Sequence, residues 1–165
     1  MSSWNVTFPY LPYDLNSLRT LPQAALTQPY ETAALTVCAL CVYPTNPAAC
    51  YEMLDFLRGP RPLSNYDKQF IADRFRSADY VPRSYFVGAT PENNYQPAEP
   101  LTIEVFDSPY SAVSDGYLTL YLRSGGADSP RQVQLRNKPS TGQWFLWEQM
   151  LLSGIRIPKA EDPWA

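Results

Sequence analysis

Hydrophobic and polar residues alternate along the second half of the chain, which is the pattern of half-buried β-strands. Within 117–123, Leu118, Leu120 and Leu122 fall on one face, and the tyrosine, threonine and arginine residues between them fall on the other. Turn-forming residues separate one alternating stretch from the next. We therefore predict antiparallel strands at 101–106, 117–123, 131–136, 143–147 and 154–157, and a further short strand could occupy 84–88.

The first half has helical patterning that follows a Pro-rich and Tyr-rich start. Residues 31–42 are apolar on nearly every side, which predicts a helix buried at the centre of the fold. Residues 1–29 are expected to form an arm that lays Trp4, Phe8, Tyr10 and Tyr13 against the body, with at most a helical turn within 14–21.

Two further helices are predicted from their terminal residues. Asn46 is an expected N-cap with Pro47 in the first helical position, and Gly59 followed by proline ends that helix. Ser64 opens a capping-box pattern, and the helix that follows it extends to about Arg76.

Helices in the first half and strands in the second indicate an α+β fold, with N-terminal helices packed on a C-terminal antiparallel meander sheet. We expect one domain over 1–165, since this length fits a single ordinary domain. Its parts are the arm and three helices in 1–80 and the antiparallel β-sheet in 81–165.

Composition and charge narrow the function classes. With a net charge of −3 and a pI near 4.9, the chain is not expected to bind nucleic acid, because that requires a basic face. No apolar run approaches the roughly 20 residues of a membrane helix, so no membrane partner is expected. The odd number of cysteines and the absence of a signal-peptide pattern lead us to expect a cytoplasmic location.

Histidine is absent from the sequence, which removes the usual base of serine and cysteine triads and the commonest metal ligand. Acid–base catalysis would depend on carboxylates such as Glu104 and Glu148, but nothing in their spacing selects a pair, so no catalytic residue is assigned. Cys38 and Cys41 lie in the apolar helix and, with Cys50, are interpreted as core residues instead of a redox or zinc site. No cofactor and no metal is expected.

The loop at 124–131 reads SGGADSPR and is the most distinctive one. Its backbone amides, beside Arg131, could hold a carboxylate or phosphate, although a long hairpin connection explains the same residues and is the favoured interpretation. Because successive loops of a meander lie at alternate ends of the sheet, this loop should lie opposite the loops 107–116 and 137–142. The candidate anion-binding residues are Ser124, Gly125, Gly126, Asp128 and Arg131.

The strand within STGQWFLWE, at 140–148, is apolar on both faces, with Trp144 and Leu146 on one side and Phe145 and Trp147 on the other. Such a strand is either covered twice or places one face against a partner. Aromatic, glutamine and arginine residues on the second face are typical of contact surfaces, although cover by the helices is favoured. The candidate binding residues here are Tyr121, Arg136, Phe145, Trp147 and Glu148.

Three segments, SGGADSPR at 124–131, LRNKPSTGQWFLWE at 135–148 and LLSGIRIP at 151–158, resemble a family of uncharacterised proteins from gut Firmicutes. The segment RSYFVGATP at 83–91 is similar to the same family, so the resemblance covers residues 80–158. It implies a bacterial origin. Because the family is a domain of unknown function, it implies no activity and no site residues.

The leading hypothesis is a cytoplasmic protein-binding or assembly module without catalysis, with a protein partner or self-association through the aromatic face or an edge strand. One alternative is a histidine-free hydrolase or transferase that uses Glu or Asp with Arg, which would need a pocket joining Glu148 to Asp128 and Arg131. A second alternative is a small-anion-binding domain built on the loop at 124–131.

Overall fold

The computed structural model of the chain describes residues 2–111 and 113–165. Helices come first and most of the sheet follows, so the predicted α+β fold is confirmed. The helices are α1 (Leu15–Arg19), α2 (Pro29–Val42), α3 (Pro47–Arg58) and α4 (Asn65–Phe75), and the strands are β1 (Ser3–Phe8), β2 (Leu101–Phe106), β3 (Tyr117–Leu122), β4 (Arg131–Lys138) and β5 (Gln143–Gln149).

The strands form one antiparallel sheet in chain order, β1-β2-β3-β4-β5, which curls into a half-barrel. The observed β2, β3, β4 and β5 agree with the predicted strands to within two residues at each end. Helix α2 contacts every strand of this sheet. It therefore lies along the inner face of the half-barrel, which accounts for its apolar sequence.

Helix α2 is buried along most of its length, as predicted for a helix that is apolar on nearly every side. The hydroxyl groups of its two buried threonines both have hydrogen-bond partners. Thr32 Oγ1 donates a hydrogen bond to the carbonyl oxygen of Trp144 at 2.7 Å, and Thr36 Oγ1 donates to that of Thr32 at 2.9 Å. The first of these bonds attaches α2 to β5, the strand on which the aromatic residues cluster.

The predicted starts of α3 and α4 are confirmed by their caps. The Asn46 side chain accepts a hydrogen bond from the backbone N–H of Ala49. Ser64 and Asp67 form a reciprocal capping box in which each side chain accepts from the other's backbone N–H. These side chains satisfy backbone donors that have no partner within the helix, which explains why both helices begin where the sequence indicates.

Strand β1 corrects the prediction of an irregular N-terminal arm. It pairs with β2 along its full length. Its sequence SWNVTF alternates: Val6 and Phe8 are buried, whereas Ser3, Asn5 and Thr7 are exposed. The start of the chain therefore forms an edge of the sheet instead of lying on its surface.

Two predicted strands are wrong. Residues 154–157 lie outside regular structure, and the N–H of Arg156 donates to the carbonyl oxygen of Gly126 at 2.9 Å instead of to β5. Residues 84–88 contribute one isolated bridge, from Phe86 to Ile103. Residues 84 and 85 belong to the short 3-10 helix Val81–Tyr85, and residues 154–157 contact the 124–130 loop, so neither segment forms a regular ladder.

The predicted distribution of loops over the two ends of the sheet is confirmed. At one end, the N–H of Asn137 donates to the carbonyl oxygen of Gly116 at 2.8 Å. At the other end, the guanidinium of Arg156 pairs with Asp128 at 2.9 Å. We call the first the hairpin end, after the β4–β5 hairpin, and the second the 124–130 end.

Candidate functional site

The two faces of the sheet differ in what packs against them. Inward side chains such as Leu120, Leu122 and Val133 are fully buried in the core that the helices share. The opposite, outer face carries the aromatic side chains, so the interpretation that the helices cover the aromatic face is wrong. The half-buried residues of the outer face in β3, β4 and β5 include Tyr117, Thr119, Tyr121, Gln132, Gln134, Arg136, Phe145 and Trp147.

A β-bulge in β5 determines which side chains share the outer face. Leu135 pairs with Leu146, but Gln134 pairs with Glu148, so Trp147 is the extra residue. Trp147 and Glu148 therefore lie next to each other opposite Gln134, which belongs to the outer face. Simple alternation would have placed Glu148 on the inner face with Leu146. The bulge thus adds a carboxylate to the aromatic surface.

Four side chains form a continuous arginine–aromatic stack on this face. The guanidinium carbon of Arg61 lies 3.7 Å from the ring centroid of Trp147, and the Trp147 ring meets that of Tyr117 edge to face at 5.1 Å. The guanidinium carbon of Arg136 lies 4.4 Å from the Tyr117 centroid. Each cation–aromatic contact contributes about 0.5–1 kcal/mol at a site of this exposure, so the stack holds its four members in place.

Arg61 reaches the stack because the chain turns tightly after α3. Gly59 has φ +61°, and a Cβ at this position would lie 2.5 Å from the ring of Phe145, so only glycine lets the turn approach β5 so closely. Arg61 Nη2 donates to the carbonyl oxygen of Trp147 and, at 3.3 Å, to Glu148 Oε1. Arg61 Nε is buried and has no acceptor among the described residues.

A buried ion pair supports the same turn. Arg58 is 8% exposed, and its Nη2 lies 3.4 Å from Asp67 Oδ2, while its Nε donates to the carbonyl oxygen of Arg61 at 2.9 Å. Burial, and then the charge of Arg61, lower the pKa of Arg58. For Asp67, burial acts to raise the pKa, but hydrogen bonds from Ser64 and the charge of Arg58 outweigh it and lower the pKa. The pair fixes the backbone that carries Arg61.

A groove of about 280 Å³ lies between this turn and the β4–β5 hairpin. Phe145 and Trp147 form its aromatic floor, and Arg61, Arg136 and Lys138 bring three positive charges to it. Arg58 also lines the groove, but it is buried and paired with Asp67. Glu148, beside Trp147, is the acidic neighbour of these cations. Since pockets for small molecules usually measure about 300–1,000 Å³, this groove has room for one or two side chains of a partner.

Besides the buried Arg58, two cations of the groove are not among the predicted site residues. Arg61 belongs to a turn that the sequence identifies only as a helix end, and Lys138 lies at the tip of a hairpin. The one available signal is the sequence RGPRP at 58–62, which indicates a tight turn between two arginines. Nothing in that signal shows which strand the turn would meet.

Tyr121, a predicted binding residue, lies outside the groove on the same outer face. Its ring stacks on Phe106 with the centroids 6.0 Å apart, and the guanidinium carbon of Arg123 lies 4.6 Å from the Phe106 centroid. Arg123 also pairs with Glu104 at 3.6 Å. Arginine over an aromatic ring therefore recurs along the outer face.

The predicted anion-binding loop lies at the 124–130 end, and its polar groups have partners within the protein. The N–H of Gly125 donates to the carbonyl oxygen of Ser84 at 2.8 Å, and that of Gly126 donates to Ser124 Oγ at 3.1 Å. A Cβ on Gly125 would lie 1.9 Å from the carbonyl oxygen of Ala89. These glycines allow neighbouring segments to approach closely, and the backbone amides of both already donate hydrogen bonds within the protein.

The charged residues of this loop are engaged in the same way. Arg131 donates to the carbonyl oxygens of Ser129, Ser153 and Gly154, and Asp128 pairs with Arg156. The structure therefore does not bring the loop residues to the groove. Of the predicted residues, it gathers Arg136, Phe145, Trp147 and Glu148 at one site.

The cysteines lie where core packing predicts. Cys38 and Cys50 are fully buried in the hydrophobic core, and Cys41 packs against its margin. Burial raises the pKa of Cys41 and of Cys50 to about 12, which keeps both thiols protonated at neutral pH. Within residues 2–111 and 113–165, no group of three or more acidic or cysteine side chains is arranged to hold a metal ion.

Comparisons with known proteins identify a family for the chain. No curated protein and no solved structure matches it. In the part of the chain that the structure describes, none of the helices combines the length and the hydropathy needed to span a bilayer. A family model matches residues 10–159, and so includes the helical half as well as the sheet. The chain therefore belongs to the family described as "Domain of unknown function (DUF6935)".

Proposed function

We propose that this chain is a protein-binding module without catalysis, and that the groove on its outer face holds a segment of the partner. The observation that carries the proposal is the arginine–aromatic stack of Arg61, Trp147, Tyr117 and Arg136, half-buried on the sheet face opposite the helical core. Trp, Tyr and Arg are the residues most enriched at energetic hot spots of protein interfaces. A rigid stack of them presents contact area that loses little side-chain entropy on binding.

The shape and charge of the groove indicate the chemistry of the partner segment. The aromatic floor of Phe145 and Trp147 suits an apolar or aromatic side chain. Arg61, Arg136 and Lys138 suit carboxylates beside that side chain, because complementary charge favours encounter and register. We expect a peptide segment that combines an aromatic residue with acidic neighbours.

The contacts of the acidic residues favour binding over catalysis. The hydrolase or transferase alternative needs Glu148 to share a pocket with Asp128 and Arg131. Glu148 instead pairs with Arg61 and its side chain is 54% exposed, and Asp128 pairs with Arg156 and is 95% exposed. A catalytic carboxyl group usually lies in an environment that is shielded from solvent. Neither Glu148 nor Asp128 lies in such an environment. The three free thiols fit a cytoplasmic module.

A peptide-display selection tests this function. Random peptides are selected on the immobilised chain, and the dissociation constants of selected peptides are then measured by fluorescence polarisation. We expect aromatic and acidic sequences, bound about tenfold or more weakly by Trp147→Ala and by Lys138→Glu. Tyr13→Ala, which removes another exposed aromatic ring, is the matched control and should bind normally. If the selected peptides bind Trp147→Ala and the wild type equally, the groove is not the binding surface.

A further inference from the structure

Trp164 is the most solvent-exposed large hydrophobic residue among the described ones, at 93%. It lies in the segment 161–164, Glu-Asp-Pro-Trp, where the backbone N–H of Trp164 donates to Asp162 Oδ1 at 2.8 Å. This turn presents the indole to solvent next to two carboxylates. A Trp held outward beside acidic residues has the chemistry that the groove is built to accept.

We infer that the groove takes residues 161–164 of a second copy of this chain, an inference that rests on the proposed protein-binding function. Trp164 of one copy enters over the floor formed by Phe145 and Trp147 of the other. Glu161 and Asp162 lie against the rim cations. The chain is thus a self-assembling module.

Charge complementarity supports this occupant. The segment 161–164 carries two negative charges and no positive charge. The groove carries Arg61, Arg136 and Lys138 against one acidic neighbour, Glu148, while the charge of its buried Arg58 is paired with Asp67. Because the whole chain has a net charge of −3, two copies repel each other on average. A specific contact between copies therefore needs a local positive patch, and the groove supplies one.

Within one copy, the residues that precede the segment and the groove lie at opposite ends of the sheet. Residues just before the segment lie at the 124–130 end, where Arg156 pairs with Asp128 and Pro158 is buried. The groove lies at the hairpin end, beside Lys138. The eight residues of β4 separate these ends by about 23 Å, at roughly 3.3 Å per residue. In the folded chain the side chain of Trp164 is 93% exposed, so it lies outside the groove of its own chain.

Such a contact is heterologous, since it joins two different surfaces. Each copy can offer its segment to one neighbour and its groove to another. The molar mass of the wild type should therefore increase with concentration. It should decrease as salt is added, because exposed charge pairs are screened.

Mixing two complementary variants tests the inference. Trp164→Ala removes the segment's ring without touching the core, and Lys138→Glu reverses an exposed groove charge without touching the core. By light scattering, each variant alone should remain at the monomer mass of 18.7 kDa, while an equimolar mixture should form dimers through the one intact groove and the one intact segment. If Trp164→Ala assembles like the wild type, or the mixture stays monomeric, the inference is wrong.

A synthetic peptide of residues 158–165, PKAEDPWA, separates this inference from the proposed function. The labelled peptide should bind the Trp164→Ala chain, and replacing its Trp by Ala should weaken binding about tenfold or more. If it fails to bind while display-selected peptides bind and depend on Trp147, the occupant is another protein and the proposed function remains. If neither kind of peptide depends on Trp147, both proposals fail.

Discussion

Substituting Gly125 by alanine should destabilise the protein strongly if the 124–130 loop is a packing element. The added Cβ would lie 1.9 Å from the carbonyl oxygen of Ala89 and 3.1 Å from its carbonyl carbon, both backbone atoms that cannot rotate away. Separating them also stretches the 2.8 Å hydrogen bond from Gly125 to Ser84. Overpacking costs about 1–3 kcal/mol and a lost hydrogen bond about 0.5–1.5 kcal/mol, so we expect a loss of roughly 2–4 kcal/mol.

Urea titration of the free energy of unfolding measures this loss, and Gly142→Ala is the matched control. Gly142 has φ +72°, but a Cβ there meets nothing within 4 Å, so only backbone strain of about 1–2 kcal/mol is expected. Millimolar phosphate should not stabilise the wild type at constant ionic strength, because at that concentration an anion stabilises the native state only by binding to it. A Gly125→Ala loss no larger than that of Gly142→Ala, or stabilisation by phosphate, would refute the reasoning.

Three further outcomes follow from buried groups. Because the pKa of Asp67 is lower in the folded chain than its ordinary 3.8, its contribution to stability is present above that pH and disappears as the pH falls toward the folded pKa. In acid titrations of stability, Asp67→Asn should therefore flatten this decline, and an unchanged curve would contradict it. Cys38 and Cys50 should resist Ellman's reagent at pH 8 until urea unfolds the chain; rapid native labelling of all thiols would count against their burial. Thr32→Val leaves the carbonyl oxygen of Trp144 without its donor and should cost about 1–3 kcal/mol in thermal melts, whereas an unchanged melting temperature would show that the bond is dispensable.

Alternation predicts β2 to β5 well because each of these strands has one face in the core, so burial imposes the period of two directly on the sequence. The same pattern is present in β1, with Val6 and Phe8 buried and polar residues between them, but it is short and its partner β2 is distant in sequence. Ile155 and Ile157 also alternate, yet 154–157 forms no strand. The outer edge of β5 is already occupied, since the N–H of Trp144 donates to the carbonyl oxygen of Leu26.

The candidate site is only partly predictable for a similar reason. Phe145, Trp147 and Arg136 are recognisable because their residue types suit contact surfaces and their strands are clear. The face that Glu148 occupies depends on the bulge in β5, and an insertion of one residue in the pairing leaves no mark on an alternating pattern. Arg61 arrives from a turn whose path is set by the close approach of Gly59 to β5. Both features are properties of tertiary packing.

Nuclear magnetic resonance of the tryptophan indoles tests the central claim most directly, because the chain has four tryptophans at distinct places. Trp147 forms the groove floor, whereas Trp4 stacks on Tyr30 with the ring centroids 4.8 Å apart and serves as an internal reference. Indole N–H signals of the labelled chain are recorded as a display-selected peptide is added, with Trp147→Phe to assign the groove signal. The Trp147 signal should shift to saturation while that of Trp4 stays in place. A peptide that saturates the chain and leaves the Trp147 signal unmoved would contradict the account.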